Sequence, residues 1–397
     1  MKSIYATTDE IDLDCAVREL LGKIEAQAPL LKNTVGILFY DYEMEGAELC
    51  GRLQAALHVD ILGCSTIGTL SNESGYLDMA AALTLLTADD CEFHADITQG
   101  LTDQNFVNSI YGSYRNAKDK ATRKPALIYC LLPCRTEIIF DHYLDELSKM
   151  ADDLPMIGGV PTNHGKPGKS MAFNGRYCAN SAITLLISGN IKPVFSMANV
   201  VETLSGPKGT ITRAEGTTIY EVDGKPFAAY VKSYGMDIRE FNKKESRAFF
   251  QQYPLLIETG EGKAETGLPY VRIIESIDWE DGSGIAFASV PEGAKVTLAN
   301  LHKATIAETV KKGLDELFAK IAKSGAEYSV ILCITCAARH FILNPYYDIE
   351  GKLIREMVPG QYQLSGFYSF GELCPISVED GKARNRLHNG SIVFCAL

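Results

Sequence analysis

Apolar positions in the first half of the chain recur with two alternating periods. Ala16, Leu20, Leu21 and Ile24 fall on one face at helical spacing, and the continuous apolar run over 35–40 follows the turn-prone Asn33. The same alternation then predicts a helix over 44–57, strands at 59–62 and 79–86, a helix over 106–114, a buried strand over 126–132, and a helix over 137–150 that feeds Met156-Ile157-Gly158-Gly159. Buried strands alternating with amphipathic helices predict an α/β fold, with mixed sheets packed in layers against outer helices.

Punctuation changes at two places. Residues 160–170 hold two prolines and two glycines and read as a loop, followed by a hairpin of 170–173 with 177–187 around Asn174-Gly175. Ser205-Gly206-Pro207-Lys208-Gly209 breaks the chain near its middle, which divides it into domains 1–205 and 206–397. The second half opens with strands at 210–213 and 217–222 closed by Asp223-Gly224, a helix over 227–234, and extended segments at 271–274, 285–289 and 295–298. Ile306, Val310, Leu314, Leu317 and Ile321 make one apolar stripe on a helix over 302–322, which reads as core. A strand at 328–334, a helix at 349–357 and strands at 362–370 and 391–397 follow, with no short-period repeat.

Composition narrows the function classes. The 397 residues carry 46% hydrophobic and 22% charged positions, the balance of a folded globular chain. A formal charge of −12 repels phosphate backbones and anionic lipid, so neither nucleic acid nor a membrane surface is an expected partner. No apolar run reaches the roughly 20 residues of a membrane span and the start has no apolar signal core, so a cytoplasmic protein is expected. Eleven cysteines, mostly inside apolar runs, read as reduced and buried thiols.

Familiar chemical motifs fail on spacing. Gly168-Lys169-Ser170 ends like a phosphate-binding loop, but Asn163 stands where the loop needs its first glycine. Gly63-Cys64-Ser65-Thr66-Ile67-Gly68 is one residue too long for a nucleophile elbow. Cys333-Ile334-Thr335-Cys336 with His340 is half of a metal site or a redox pair, yet no second pair exists and Cys333 sits in an apolar strand.

Unusual polar groups gather toward the C-terminus. Gly366-Phe367-Tyr368-Ser369-Phe370-Gly371-Glu372-Leu373-Cys374-Pro375 joins aromatics to a glycine turn with a carboxylate, and Leu387-His388-Asn389-Gly390-Ser391 precedes the last apolar strand. Aromatics beside glycines, with Glu372 and His388 near, suit a pocket for a small polar molecule. Arg339 offers a planar fork to a ligand carboxylate, or an ion pair to Glu372 or another acid. Glu372 suits a ligand ammonium or caps its turn; Cys64 and Ser65 line the pocket or pack beside a strand end; Tyr368 faces a ligand or the core.

At these residues the chain resembles the FIST family, a bacterial sensory module of paired N- and C-terminal domains. Gly371-Glu372 with Cys374-Pro375, His388-Asn389, Cys336-Ala337-Ala338-Arg339, Val222-Asp223-Gly224-Lys225-Pro226, Gly63-Cys64-Ser65-Thr66 with Gly68, and Ile157-Gly158-Gly159 carry the resemblance in order over nearly the whole chain. Thr69 departs from it, standing where an acidic residue is usual. The resemblance implies a non-catalytic intracellular sensor of a small polar ligand such as an amino acid, with Arg339, Glu372, His388, Cys64, Ser65, Tyr368 and Cys336 as ligand-binding candidates. No cofactor is required by this reading. With no output domain in the sequence, the signal passes to a separate protein such as a kinase or chemoreceptor. Two alternatives stay open: a haem-binding nitric oxide sensor with His388 as axial ligand, and a cysteine-dependent enzyme using Cys64, Cys336 or Cys374 with His388 as base.

Overall fold

A computed structural model describes all residues except 99, 134–137, 163–168, 200–201, 237–242 and 260–268. Four sheets carry the described strands, and three of them are built to one plan. Residues 2–88, 91–189 and 194–396 each run strand, helix, strand, helix, strand, hairpin, strand, the third with a second short helix and a large insertion.

In each repeat a parallel pair forms the centre. Asn33–Asp41 pairs with Asp60–Thr66, Pro125–Leu131 with Met156–Gly159, and Val330–Cys336 with Gln363–Ser369. The last strand of each repeat, Ala81–Ala88, Ile183–Gly189 or Ile392–Ala396, adds antiparallel to the pair's first member, and the repeat's opening strand adds outside it. The hairpins are exchanged in a ring. That of the first repeat (Thr69–Ser71 and Gly75–Leu77) extends the third sheet, that of the second (Met171–Phe173 and Arg176–Tyr177) the first sheet, and that of the third (Glu372–Glu379 and Lys382–His388) the second.

The threefold correspondence holds to single residues. Gly63, Gly158 and Gly366 stand opposite Leu38, Cys130 and Cys333 in the parallel ladders. A Cβ at each would lie 2.9, 1.8 and 2.3 Å from the carbonyl oxygen of that partner, so close backbone approach requires glycine at all three. Met79, Asn180 and Gly390 each take a positive φ just ahead of the repeat's last strand.

The three sheets share one central core. Val35, Ile37 and Phe39 from the first meet Leu127, Tyr129 and Ile157 from the second and Val330, Ile334 and Phe367 from the third, with the Phe39 and Phe367 rings stacked at 4.6 Å. Outer helices cover the far faces: Leu13–Glu25 and Gly46–Leu57 on the first, Phe106–Lys120 and Phe140–Met150 on the second, Lys303–Ser324 and Ile349–Met357 on the third. Burying both faces of a sheet explains why its strands read as unbroken apolar runs.

The insertion occupies the first strand-to-helix connection of the third repeat. That connection spans four residues (9–12) in the first repeat and eight (98–105) in the second, but 199–302 in the third. The fourth sheet lies within it, with strands Gly209–Glu215, Thr218–Val222, Leu255–Glu258 and Lys295–Leu298 around a core of its own. The bridge of Thr203 with Ala299 brings the insertion's two ends together. The boundary at 205/206 falls in the connection leading into it, while strands from both sides of that point share the second and third sheets.

Several expected elements shift. The strand expected over 177–187 is two: Arg176–Tyr177 belongs to the first sheet and Ile183–Gly189 to the second, because the chain crosses between sheets at 178–182. The strand expected at 285–289 is only Gly284–Ala286, and the glycine turn expected after 370 is strand Glu372–Glu379. Most of the loop read at 160–170, including Gly168, lies outside the described residues. No helix among the described residues is long and apolar enough to cross a membrane.

Candidate functional site

The residues singled out in the sequence separate into three neighbouring groups. Arg339, on the short helix Ala337–Leu343, is wholly buried and paired with Glu350, which accepts from its Nη2 at 2.7 Å and its Nε at 3.0 Å. The remaining guanidinium donors go to Thr309 Oγ1 at 2.8 Å and the Ile306 carbonyl at 3.3 Å, and the Tyr368 hydroxyl donates to the other Glu350 oxygen at 2.8 Å. Arg339 and Tyr368 thus lock the third repeat's outer helices to its sheet. The ion pair with another acid, open in the sequence, is with Glu350.

Glu372 forms the second group. Its Oε2 accepts from Ser391 Oγ at 2.8 Å and Ser391 N–H at 3.2 Å, while Oε1 has no hydrogen-bond partner among the described residues and the Cys336 thiol stands by the carboxyl. Burial, the largest cause, pushes its pKa up to about 8, against the lowering effect of Ser391, so the carboxyl is mostly protonated at neutral pH. Thr69 and Met171 occupy the matching hairpin positions of the other repeats, opposite Phe367 and Cys64 as Glu372 is opposite Gly159. Only the third repeat carries an acid there.

His388 sits across the ladder from Glu372 but points its Nε2–H at the Cys374 carbonyl, 3.1 Å away. Burial holds its pKa down at about 3, so the imidazole is neutral. Burial also pushes the Cys336 and Cys374 thiols up, away from the reactive thiolate. Cys64 packs in the central core, and Ser65 donates to the Thr162 and Ser170 carbonyls. Cys333, Cys336 and His340 turn to different neighbours: Cys333 to the outer core of the third sheet, Cys336 to Ile273 and Ala338, and His340 Nε2 to Tyr76 Oη at 2.8 Å.

One open feature of the molecule was not foreseen in the sequence. A cleft of about 950 Å³ lies between helix Phe140–Met150, the hairpin strand Lys382–His388 and the insertion at Tyr270, Arg272 and Ser289–Pro291. Arg272, 3% exposed, ties its walls: Nη1 donates to the Leu387 carbonyl and Nε to the Ser289 carbonyl, both at 3.0 Å, and Nη2 to Asp141 at 3.4 Å. The Arg272 and Arg386 guanidiniums both stand over the Tyr270 ring, at 4.6 and 4.3 Å from its centre. Across the cleft, Asp141 and Asp145 sit one turn apart on the helix; burial first, and then Asp141, push the Asp145 carboxyl pKa up. The cleft therefore sets carboxylates against arginines, and neither Glu372 nor His388 lines it. The alternation of arginines in 382–388 was a usable signal, but the sequence leaves Arg272 and Asp141 more than a hundred residues apart and unconnected.

No match is found among curated proteins. Two solved structures of cyanuric acid hydrolase align at 8% identity: one, described as an evolutionary innovation by structural concatenation, over 76% of this chain and all of its own with a TM-score of 0.29, the other, from A. caulinodans, over 100% and 98% with a TM-score of 0.32. Scores this low carry no argument. The FIST N domain matches residues 34–225 and the FIST C domain residues 227–375, which together span most of the chain. FIST domains are associated with sensing small ligands in signalling, and the chain belongs to this family.

Proposed function

We propose that the protein is a non-catalytic cytoplasmic sensor that binds a small polar ligand of amino-acid type in the cleft and passes the signal to a separate protein such as a kinase or chemoreceptor. The observation that carries this reading is the cleft itself, with Asp141 and Asp145 on one wall and Arg384 and Arg386 on another. Ligand ammonium between the two carboxylates offsets their mutual repulsion, and ligand carboxylate meets the guanidiniums. Both of these walls belong to the second sheet and its outer helix, and Tyr270, Arg272 and Ser289–Pro291 of the insertion complete the cleft, so an occupant that also touches them couples binding to the docking of the insertion on the threefold body.

Burial of Cys336 and Cys374 and the carbonyl-bonded, neutral His388 favour a binding role over cysteine catalysis. His388 gives its Nε2–H to the Cys374 carbonyl and does not line the cleft, which favours a small polar ligand there over axial haem ligation. Titration calorimetry of the full chain against the twenty free amino acids tests the reading. Binding of at least one, weakened tenfold or more by Asp145→Asn and by Arg384→Ala, is expected. Binding indifferent to both substitutions would place the ligand elsewhere.

A further inference from the structure

One wall of the cleft is the edge strand of the second sheet. Lys382–His388 pairs only with Glu372–Glu379, and residues 382–387 all line the cleft. Backbone groups on an edge strand alternate between the ladder and the open side. Two bonds set the phase: Ala383 N–H donates to the Asp153 carbonyl at 2.6 Å, and the Leu387 carbonyl accepts from Arg272 at 3.0 Å. Residues 383, 385 and 387 therefore turn their backbone groups outward. Pro375, which has no N–H, stands opposite Asn385 where the ladder needs none, in agreement with this phase. Between the two capped ends lie the N–H and carbonyl of Asn385, the carbonyl of Ala383 and the N–H of Leu387, which no described group pairs.

The threefold plan does not require this edge. The matching hairpins have strands of two or three residues, whereas Glu372–Glu379 and Lys382–His388 run to eight and seven. Charge along the edge is also graded. Asp153, Glu379 and Asp380 gather at its Lys382 end, where Lys382 itself pairs with Asp152, and Arg386 stands at its Leu387 end beside Arg272, which pairs with Asp141. At about 3.3 Å per residue these ends stand roughly 13 Å apart, beyond the reach of one free amino acid.

Resting on the cleft as the ligand site, we propose that its ligand is a short peptide of about three or four residues, bound extended as an added strand against Asn385. The peptide's amide groups pair with the outward groups of the edge, its carboxylate lies toward Arg386, and its ammonium lies toward Asp153 and Asp380 rather than between Asp141 and Asp145, where the ammonium of a free amino acid would sit. It runs parallel to Lys382–His388, so that Asn385 donates to one peptide carbonyl and accepts from the N–H two residues on.

Native mass spectrometry of the full chain, incubated first with a randomised tetrapeptide mixture and then with the twenty free amino acids, tests this. Tetrapeptides are expected to be retained in preference to amino acids. A retained sequence should lose at least tenfold in affinity when one internal amide is N-methylated, and should slow hydrogen exchange of the Asn385 and Leu387 amides. Retention of amino acids without peptides would overturn the peptide and leave the sensor reading standing. Retention of neither would overturn both. Peptide binding unaffected by N-methylation at every internal amide, or without protection at Asn385, would overturn strand addition.

Discussion

Removing the Arg339 side chain is expected to be among the most damaging single changes in the third repeat. Arg339 and Glu350 are both wholly buried, so Arg339→Met leaves a carboxylate in the core with only the Tyr368 and Thr335 hydroxyls for partners. Breaking one side of a buried pair costs about 3–5 kcal/mol, because the orphaned charge keeps its desolvation penalty. The bonds to Thr309 Oγ1 and the Ile306 carbonyl are lost as well, and with them the tie to helix Lys303–Ser324. The double variant Arg339→Met with Glu350→Leu removes both charges and leaves the Tyr368 and Thr335 hydroxyls without their Glu350 acceptor, at about 1–3 kcal/mol. Its stability should therefore exceed that of the single variant. Urea unfolding followed by far-ultraviolet circular dichroism, with wild type, both singles and the double, measures the coupling directly. A single-variant loss below about 1 kcal/mol, or a double variant no more stable than Arg339→Met, would refute the assignment of Arg339 to a buried structural pair. Ligand affinity of folded Arg339→Met should stay within threefold of wild type, since Arg339 does not line the cleft.

Two further expectations follow from single positions. The folded-state pKa of Glu372, about 8, lies above the ordinary 4.5, so below 4.5 both states are protonated, and between there and about 8 only the folded chain keeps the proton. Stability relative to Glu372→Gln should then fall by up to about 1.4 kcal/mol per pH unit across that window and level off above it; a flat difference between pH 5 and 8 in urea titrations would contradict the buried carboxyl. Gly366→Ala sets a Cβ 2.3 Å from the Cys333 carbonyl oxygen and should destabilise by more than about 3 kcal/mol, whereas Gly360→Ala, with nothing within 4 Å, should be nearly neutral; equal thermal midpoints for the two would contradict the parallel register.

Much of the fold was legible because burial writes itself into apolar periodicity. The stripe from Ile306 to Ile321 appears as helix Lys303–Ser324, and the runs around Ile37, Ile128 and Ile331 appear as the three central strands. The hairpin at Asn174-Gly175 was legible from its turn chemistry. The strands Glu372–Glu379 and Lys382–His388 were not, because a ribbon half open to solvent carries Pro375 and three basic residues in place of an apolar run. Of the site, residue types were legible and pairings were not. Arg339, Glu372 and His388 do lie close along the third repeat, yet each spends its polar atoms on a different partner: Glu350, Ser391 and the Cys374 carbonyl.

By itself the sequence determined the class of the protein: its amphipathic helices and buried strands, its reduced thiols and the order of motifs that places it in a sensory family. Those properties depend on neighbours in the chain, where helical or strand spacing decides which face is buried. The threefold plan, the exchanged hairpins and the cleft belong to tertiary structure alone. The repeats share glycines against carbonyls and a left-handed residue before the last strand but little else, since any apolar set of the right volume fills a core. The cleft exists because a long insertion in the third repeat folds back on a hairpin more than seventy residues further along, and sequence spacing holds no record of which surfaces meet across such a distance.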